Sequence, residues 1–103
     1  MRAYDFHPEA ENDLSSIWEY IAEDNPDAAD RVIEKIVAAL DALVPFSHQG
    51  HCRPDLTSRP LRFLTVDNYL VAYAPDKSPI WILAVLHGRR SPRAIAALLK
   101  DRK

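Results

Sequence analysis

Residues 80–86, Ile-Trp-Ile-Leu-Ala-Val-Leu, decide the fold because all seven are apolar. An apolar run of this length, bounded by the polar turn 75–79 and by His87, is typical of a strand that is buried on both faces. A strand of this kind has a neighbour on each side. We therefore expect Ile80–Leu86 to be the central strand of a sheet whose other strands come from elsewhere in the chain.

The other strands of the sheet are predicted from segments that precede this strand in the chain. Leu61–Val66 and Tyr69–Ala74 are rich in β-forming residues, and only Asp67 and Asn68 separate them. Asp and Asn tolerate the positive φ that a two-residue hairpin turn requires, so the pair predicts a tight β-hairpin. The short N-terminal segment Arg2–Phe6 is the candidate for the strand on the other side.

Three helices are predicted around these strands. The first covers Pro8–Glu23, and the second is capped by Asn25, begins at Pro26 and ends before Pro45. Two residues join these helices, so they must fold back on each other as an antiparallel hairpin. Ser91 caps a third helix. The apolar positions at helical spacing are Ala10, Leu14, Ile17, Trp18 and Ile21, then Ala29, Val32, Ile33, Ile36, Val37, Leu40, Leu43 and Val44, then Ala94, Ile95, Leu98 and Leu99.

The predicted fold class is α+β, with the element order β-α-α-β-β-β-α. It comprises an N-terminal strand, a helical hairpin, a three-stranded antiparallel meander and a C-terminal helix. A chain of 103 residues, 48% of them apolar, is long enough for one core, so we expect a single domain over residues 1–103. We also expect the helical hairpin to cover one face of the sheet and the other face to be partly open.

Charge is divided unevenly along the chain. Residues 1–50 carry 3 Lys/Arg and 11 Asp/Glu, a balance of −8, whereas residues 51–103 carry 10 and 4, a balance of +6. The arginines of the second half lie at predicted strand ends and turns, where separate segments converge. A surface of this kind attracts phosphate or the acidic groups of a protein. The candidate partner-binding residues are Arg53, Arg59, Arg62, Arg89, Arg90 and Arg93.

Several function classes find no support in the sequence. With only two glycines there is no Gly-rich phosphate loop, and the single cysteine permits no internal disulfide. His48, His51 and Cys52 do not match a common zinc-ligand spacing, so we expect no metal site and no cofactor. No segment approaches the length of a membrane span or of a signal peptide, so we expect no membrane association and a cytoplasmic protein.

Two further expectations concern local structure. Gly88 lies between the central strand and the cap of the last helix, a position that usually requires positive φ. The alternating aromatic residues of the strands could form a stacking platform for nucleic acid, but such residues more commonly pack a core, and we favour the core. These aromatic residues are Phe63, Tyr69, Tyr73 and Trp81.

Four segments carry a family resemblance when they are taken in order after a helical hairpin. They are Arg-Pro-Asp-Leu at 53–56, Leu-Arg at 61–62, Tyr-Leu-Val-Ala-Tyr at 69–73 and Val-Leu-His-Gly-Arg-Arg at 85–90. In this order and spacing the chain resembles the RelE/ParE toxin superfamily, and more closely its ParE branch. The resemblance implies a toxin of a bacterial type II toxin-antitoxin module, with a cognate antitoxin, ParD-like or of another family, as its partner.

The resemblance leaves the target open between two branches. ParE-like members are associated with inhibition of DNA gyrase, whereas RelE-like members cleave messenger RNA in the ribosome. A nuclease needs a base, an acid and cations for the phosphate, which His87, Tyr73, Arg62 and Arg89 could supply. The RelE-like nucleases often have a tyrosine near the C-terminus or an active-site glutamate, but here no tyrosine follows Tyr73 and no glutamate follows Glu34. We therefore favour the gyrase-inhibiting branch, with the ribosome-dependent endonuclease and a non-toxic binding module as alternatives.

Overall fold

A computed structural model of the protein describes residues 3–103 and has the expected element order. The elements are β1 (Tyr4–Phe6), α1 (Pro8–Ala22), α2 (Pro26–Leu43), β2 (Arg62–Val66), β3 (Tyr69–Ala74), β4 (Ile80–His87) and α3 (Pro92–Asp101). A 3₁₀ turn, Val44–Phe46, follows α2. The predicted bounds differ from these by one or two residues at some ends, and the α+β fold class is confirmed.

The four strands form one sheet in the order β1-β4-β3-β2, which confirms β4 as a central strand. β1 lies parallel to β4, with Tyr4 opposite Ile80 and Phe6 opposite Ile82. The other pairings are antiparallel. The N-terminal segment is therefore the second neighbour of β4, as expected, although Arg2 lies outside the described residues.

The turn between β2 and β3 has the tight geometry that its two residues predict. Val66 pairs with Tyr69, which leaves only Asp67 and Asn68 in the loop. Asp67 adopts a φ of 52°, in the left-handed region. An aspartate tolerates this conformation better than most residues do, and the hairpin closes without a glycine.

The pairing of β3 with β4 contains an irregularity at Leu83. Ala72 lies opposite Ala84, but Tyr73 lies opposite Ile82, so Leu83 is an extra residue on the β4 side. After such a bulge, the alternation of side chains between the two faces changes phase. Leu83 and Ala84 consequently both contribute to the same buried cluster.

Side chains cap all three helices at their N-termini. Asn25 accepts a hydrogen bond from the backbone N–H of Ala28 at 3.1 Å, and Ser91 accepts one from Ala94 at 3.1 Å. Both caps are those that the sequence predicts. The Nδ1 atom of His7 plays the same part for α1. Within residues 3–103, no helix combines the length and the apolar character that crossing a bilayer demands.

The helical hairpin covers one face of the sheet. Ile36, Leu40 and Leu43 of α2 are almost completely buried. They belong to the same cluster as Val71 and Tyr73 of β3. This cluster is the hairpin-side core.

The opposite face of the sheet is covered as well, so the expectation of a partly open face is wrong. Ile95 and Leu99 of α3 are 3% and 0% exposed and pack in one cluster with Leu83 of β4. Leu56 and Leu61, from the segment before β2, are buried in this cluster. The short α3 and the segment before β2 together exclude water from this cluster, which we call the α3-side core. The sequence did not indicate this cover because the irregular segment before β2 shows no periodic apolar pattern.

Candidate functional site

Two adjoining grooves contain five of the six candidate partner-binding arginines. The loop groove, of about 470 Å³, is lined by Arg53, Arg59 and Arg62 together with His48 and Asp76. The turn groove, of about 380 Å³, lies between the β2–β3 turn and the start of α3, and Arg53, Arg89 and Arg90 line it. Arg53 lines both grooves and therefore connects them. Arg93 is exposed on α3 and lines neither groove.

His87 is held at the end of β4 by local contacts in the turn groove. Its Nδ1 atom accepts a hydrogen bond from the backbone N–H of Arg89 at 3.1 Å. Its ring also contacts the ring of Tyr69 edge to face, with the two centroids 5.4 Å apart. Because Nδ1 is an acceptor, the neutral imidazole carries its proton on Nε2. These contacts fix the position and the tautomer of the ring.

Gly88 follows His87, and the expectation that it has positive φ is wrong. No glycine among residues 3–103 adopts positive φ. Its backbone N–H instead donates to the carbonyl oxygen of Asn68 at 2.8 Å, and a Cβ at this position would lie 3.3 Å from the same oxygen. The close approach of the β2–β3 turn, rather than backbone conformation, explains a residue without a side chain here.

Arg59 and Arg62 use part of their guanidinium groups to hold the backbone. Nη1 of Arg59 donates to the carbonyl oxygens of Leu99 at 3.0 Å and Arg102 at 2.6 Å. Nη1 of Arg62 donates to the carbonyl oxygen of Gly50 at 2.9 Å. Arg59 therefore ties the end of α3 to the loop before β2. Carbonyl oxygens carry no formal charge, so these contacts do not offset the positive charge of either arginine.

Arg53 differs because a carboxylate pairs with it. Its Nε and Nη2 atoms donate to the two carboxylate oxygens of Asp55 at 2.9 and 2.8 Å. The hydrogen bonds of this pair raise the pKa of Arg53 and lower the pKa of Asp55. Both side chains are well exposed, so the pair orients Arg53 and adds little to stability.

Tyr73 lies in the hairpin-side core and lines neither groove. It is 0% exposed, and its hydroxyl oxygen accepts a hydrogen bond from the backbone N–H of Gly50 at 3.0 Å. Burial raises the pKa of this phenol. A tyrosine without contact with solvent is a structural group in this conformation.

The four candidate nuclease residues do not come together at one site. Arg62 pairs with Tyr73 at one end of β3, whereas His87 pairs with Tyr69 at the other end. Tyr69 and Tyr73 are four positions apart along the strand, which corresponds to about 13 Å. Arg89 lies beyond His87 in the turn groove. A base at His87 therefore has no acid at Tyr73 within hydrogen-bonding distance.

A buried ion pair that sequence reasoning missed closes the edge of β4. The carboxylate of Asp13 on α1 receives hydrogen bonds from Nη1 and Nη2 of Arg102 at 2.6 and 2.9 Å. Asp13 also accepts from the backbone N–H of Val85, and Arg102 donates to the carbonyl oxygen of Leu83. β1 pairs with β4 only as far as Ile82. Beyond that point, the side chains of Asp13 and Arg102 make the hydrogen bonds to the backbone of β4 that a neighbouring strand would otherwise make. We call this arrangement the edge clasp.

A signal for the edge clasp was present in the sequence. Asp13 lies three residues after Ala10 and four before Ile17, on the apolar face of α1. A carboxylate on an apolar helix face requires a partner. The partner could not be identified, because Arg102 lies 89 residues away in the chain.

Comparison with known proteins agrees with this architecture. Residues 4–92 match the family described as "ParE toxin of type II toxin-antitoxin system, parDE". Toxin ParE2 of Mycobacterium tuberculosis is 32% identical over 105 residues, which covers 93% of this chain and 90% of the relative. The putative toxin Y4kP of Sinorhizobium fredii is 32% identical over 77 residues, covering 75% of this chain and 78% of that protein.

A solved structure supports the fold independently. A chain of the structure titled "Chromosomal ParDE TA system from P. aeruginosa" superposes with a TM-score of 0.67 and 24% identity. The match covers 84% of this chain and 96% of that one. The family match extends over most of the chain and includes the hairpin, the sheet and every residue that lines the two grooves except Ile95. The chain therefore belongs to the ParE toxin family of type II toxin-antitoxin systems.

Proposed function

We propose that this ParE-type toxin blocks growth by inhibiting DNA gyrase in the cytoplasm and that a cognate antitoxin neutralises it. The ParE branch that the sequence resembles is associated with gyrase, which supports the first part. The P. aeruginosa relative is described as a ParDE TA system, which supports the second. No metal or cofactor is part of the proposal.

The separation of the four candidate nuclease residues is the observation that favours gyrase over messenger RNA. One-step cleavage through a 2′-hydroxyl requires a base and an acid on opposite sides of one phosphate. Tyr73 is buried, and about 13 Å of strand separates its position from that of His87. Binding and inhibiting a protein target requires no such constellation.

A gyrase supercoiling assay run beside primer extension on translated messages tests this choice. We expect the purified toxin to inhibit supercoiling and to leave translated messages uncut. We also expect His87→Ala and Tyr73→Phe to retain toxicity when thermal melting shows that they fold. Codon-positioned cuts that disappear in His87→Ala would contradict the proposal and identify an endonuclease.

A third groove is suited to the antitoxin. This α1–β4 groove, of about 240 Å³, is lined by Ile17 and Tyr20 of α1, by Val85 and His87 of β4 and by Arg90. Tyr20 is 78% exposed, a large value for an aromatic side chain. An exposed aromatic residue beside an arginine is a common composition of a protein interface. We therefore propose that the antitoxin places an apolar side chain against Tyr20 and an acidic group near Arg90.

Kinetic binding measurements with the co-encoded antitoxin test this surface. Arg90→Glu should lower the association rate several-fold, since an exposed interface charge acts mainly on the encounter of the partners. Tyr20→Ala should raise the dissociation rate instead. Arg31→Glu on α2 makes the same charge change on an exposed residue outside the groove and serves as the control. Unchanged rates for both groove variants would show that the antitoxin binds elsewhere.

A further inference from the structure

The loop groove and the turn groove belong to a longer surface. A further groove of about 470 Å³, the Trp81 groove, is lined by Trp81, Lys77, Lys103 and Arg59. Arg59 also lines the loop groove, and Arg53 lines both the loop groove and the turn groove. The three grooves therefore adjoin, and each shares a lining arginine with the next. We call this surface the basic band.

The basic band carries a strong excess of positive charge. Its cations are Arg53, Arg59, Arg62, Lys77, Arg89, Arg90 and Lys103. Within residues 3–103, Arg53 alone among these cations forms an ion pair with a carboxylate. The acidic residues that line the three grooves are Asp5, Asp67 and Asp76. Asp76 pairs with His48 at 2.8 Å and Asp67 pairs with Lys35 at 3.2 Å. Most of the positive charge is therefore available to a ligand.

The acidic helical hairpin takes no part in the basic band. No residue of α1 or α2 lines any of the three grooves. The imbalance of −8 and +6 between the two halves of the sequence is thus also a separation in space. A polyanion that approaches the molecule is attracted to the band and repelled by the hairpin.

The lining of the basic band suits phosphate better than it suits a protein. The apolar side chains beneath the grooves are closed off, with Leu61, Leu70 and Ile95 only 5%, 9% and 3% exposed. These three side chains offer a protein partner no apolar anchor point, although Tyr69 and Trp81 also line the band. Arginine forks match phosphate oxygens geometrically, and threonine and serine hydroxyls donate to them. Thr57 and Ser58 provide such hydroxyls in the loop groove.

Trp81 adds a group that can bind a nucleobase. Its side chain is half-buried, packs against the α3-side core and contacts the ring of His7 edge to face, and it lines the Trp81 groove together with Lys77 and Lys103. An aromatic ring beside cations is the combination with which proteins bind single-stranded nucleic acid, because every base can stack on the ring. We infer that the basic band binds the phosphodiester backbone of nucleic acid without sequence preference and without requiring gyrase, at a surface that shares Arg90 with the proposed antitoxin groove.

Fluorescence anisotropy with three labelled probes tests this inference in the absence of gyrase. The probes are a 20-nucleotide single-stranded DNA, the same sequence as a duplex, and the same sequence as RNA. We expect binding with a Kd of about 10⁻⁶ to 10⁻⁴ M near physiological salt. Because only an unpaired base can stack on Trp81, we expect the single strands to bind more tightly than the duplex, and the reverse order would contradict the role of Trp81. If no probe binds even at low salt, the inference is wrong.

Charge variants connect the binding to the basic band. Arg89→Gln/Arg90→Gln and Lys77→Gln/Lys103→Gln remove two charges at either end of the band. Each pair should reduce the slope of log Kd against log salt concentration by about 1.4 for a single strand or about 1.8 for a duplex. Arg31→Gln/Lys100→Gln removes two exposed charges that line none of the grooves and should leave the slope unchanged.

Two results would overturn the inference even if binding is observed. One is an equal loss of slope in the control double variant, because binding would then follow net charge and not the band. The other is binding of poly-glutamate as tightly as the oligonucleotides, because the surface would then recognise acidic protein. Circular dichroism melting of each variant ensures that a lost fold is not mistaken for a lost contact.

Discussion

At the residue scale, Asp13 shows how one partly buried carboxylate can join three parts of a fold. It contacts Arg102 after α3 and the backbone of Val85 in β4, and it belongs to α1 itself. The side chains of Asp13 and Arg102 are only 15% and 9% exposed. The hydrogen bonds to Asp13 raise the pKa of Arg102, which stays charged throughout the physiological range. Removing one member leaves a buried charge without its counterion.

Asp13→Ala is expected to destabilise the protein strongly. Breaking a buried ion pair typically costs about 3–5 kcal/mol, and the N–H of Val85 also loses its acceptor. Asp13→Asn keeps an acceptor oxygen and should cost less. Urea denaturation measures both, and Glu11→Ala, at an exposed position of the same helix, is the control. A free energy of unfolding for Asp13→Ala within about 0.5 kcal/mol of the wild type would refute the role of the edge clasp.

A second residue-scale prediction concerns Gly50. A Cβ at this position would lie 2.8 Å from the carbonyl oxygen of Phe63 and would overlap the hydroxyl of the buried Tyr73. Gly50→Ala should therefore lower the free energy of unfolding by about 1–3 kcal/mol, the usual cost of overpacking. Gly88→Ala places its Cβ 3.3 Å from the nearest atom and should cost less. Equal melting temperatures for the two variants would show that the loop relaxes freely at Gly50.

At the element scale, α3 has two structural roles. It is short enough to be marginal as an isolated helix, and the burial of Ile95 and Leu99 against the sheet stabilises it. Its N-terminus adjoins the turn groove through Pro92. Its C-terminal end is held by Arg59 and continues into the edge clasp. The helix therefore covers the core and also positions the rim of the basic band.

Leu99→Ala tests whether α3 stabilises the core that it covers. Truncating a side chain that is 0% exposed should lower the free energy of unfolding by about 2–5 kcal/mol. Lys100→Ala changes the next, exposed residue of the same helix and should remain within about 0.5 kcal/mol of the wild type. Equal stability of the two variants, measured by chemical denaturation, would show that α3 is only loosely attached.

At the scale of the whole molecule, the two cores share the same strands. Val71 of β3 belongs to the hairpin-side core, and the next residue, Ala72, belongs to the α3-side core. The radius of gyration of 13.2 Å is that of a compact chain of this length. If either the helical hairpin or α3 detaches, the strands that also form the other core become exposed to water. We therefore expect the two cores to unfold together.

The two tryptophans probe the helical hairpin and the α3-side core. Trp18 lies on α1, where its Nε1 donates to Asp30 at 2.8 Å, and Trp81 packs against the α3-side core. Single-tryptophan variants made by Trp18→Phe or Trp81→Phe should show, within each variant, one thermal midpoint by fluorescence and by circular dichroism. A fluorescence midpoint that differs from the circular dichroism midpoint in either variant would reveal two separately unfolding units.

The sequence by itself determined the elements and their order, because these depend on local and periodic properties. The apolar run of β4, the two turn residues Asp67 and Asn68 and the caps Asn25 and Ser91 each act within a few positions of the chain. The family resemblance could be recognised from the same segments. Charge asymmetry likewise follows from composition.

Only the tertiary structure decided which distant residues meet. The edge clasp joins positions 89 residues apart, and the burial of Tyr73 depends on a loop whose path no periodicity predicts. The same holds for the separation of Tyr73 from His87, which follows from the register of β3 with its neighbours. The three grooves of the basic band adjoin because Arg53 and Arg59 each border two of them. Long-range contacts of this kind depend on packing in three dimensions, which a local pattern does not encode.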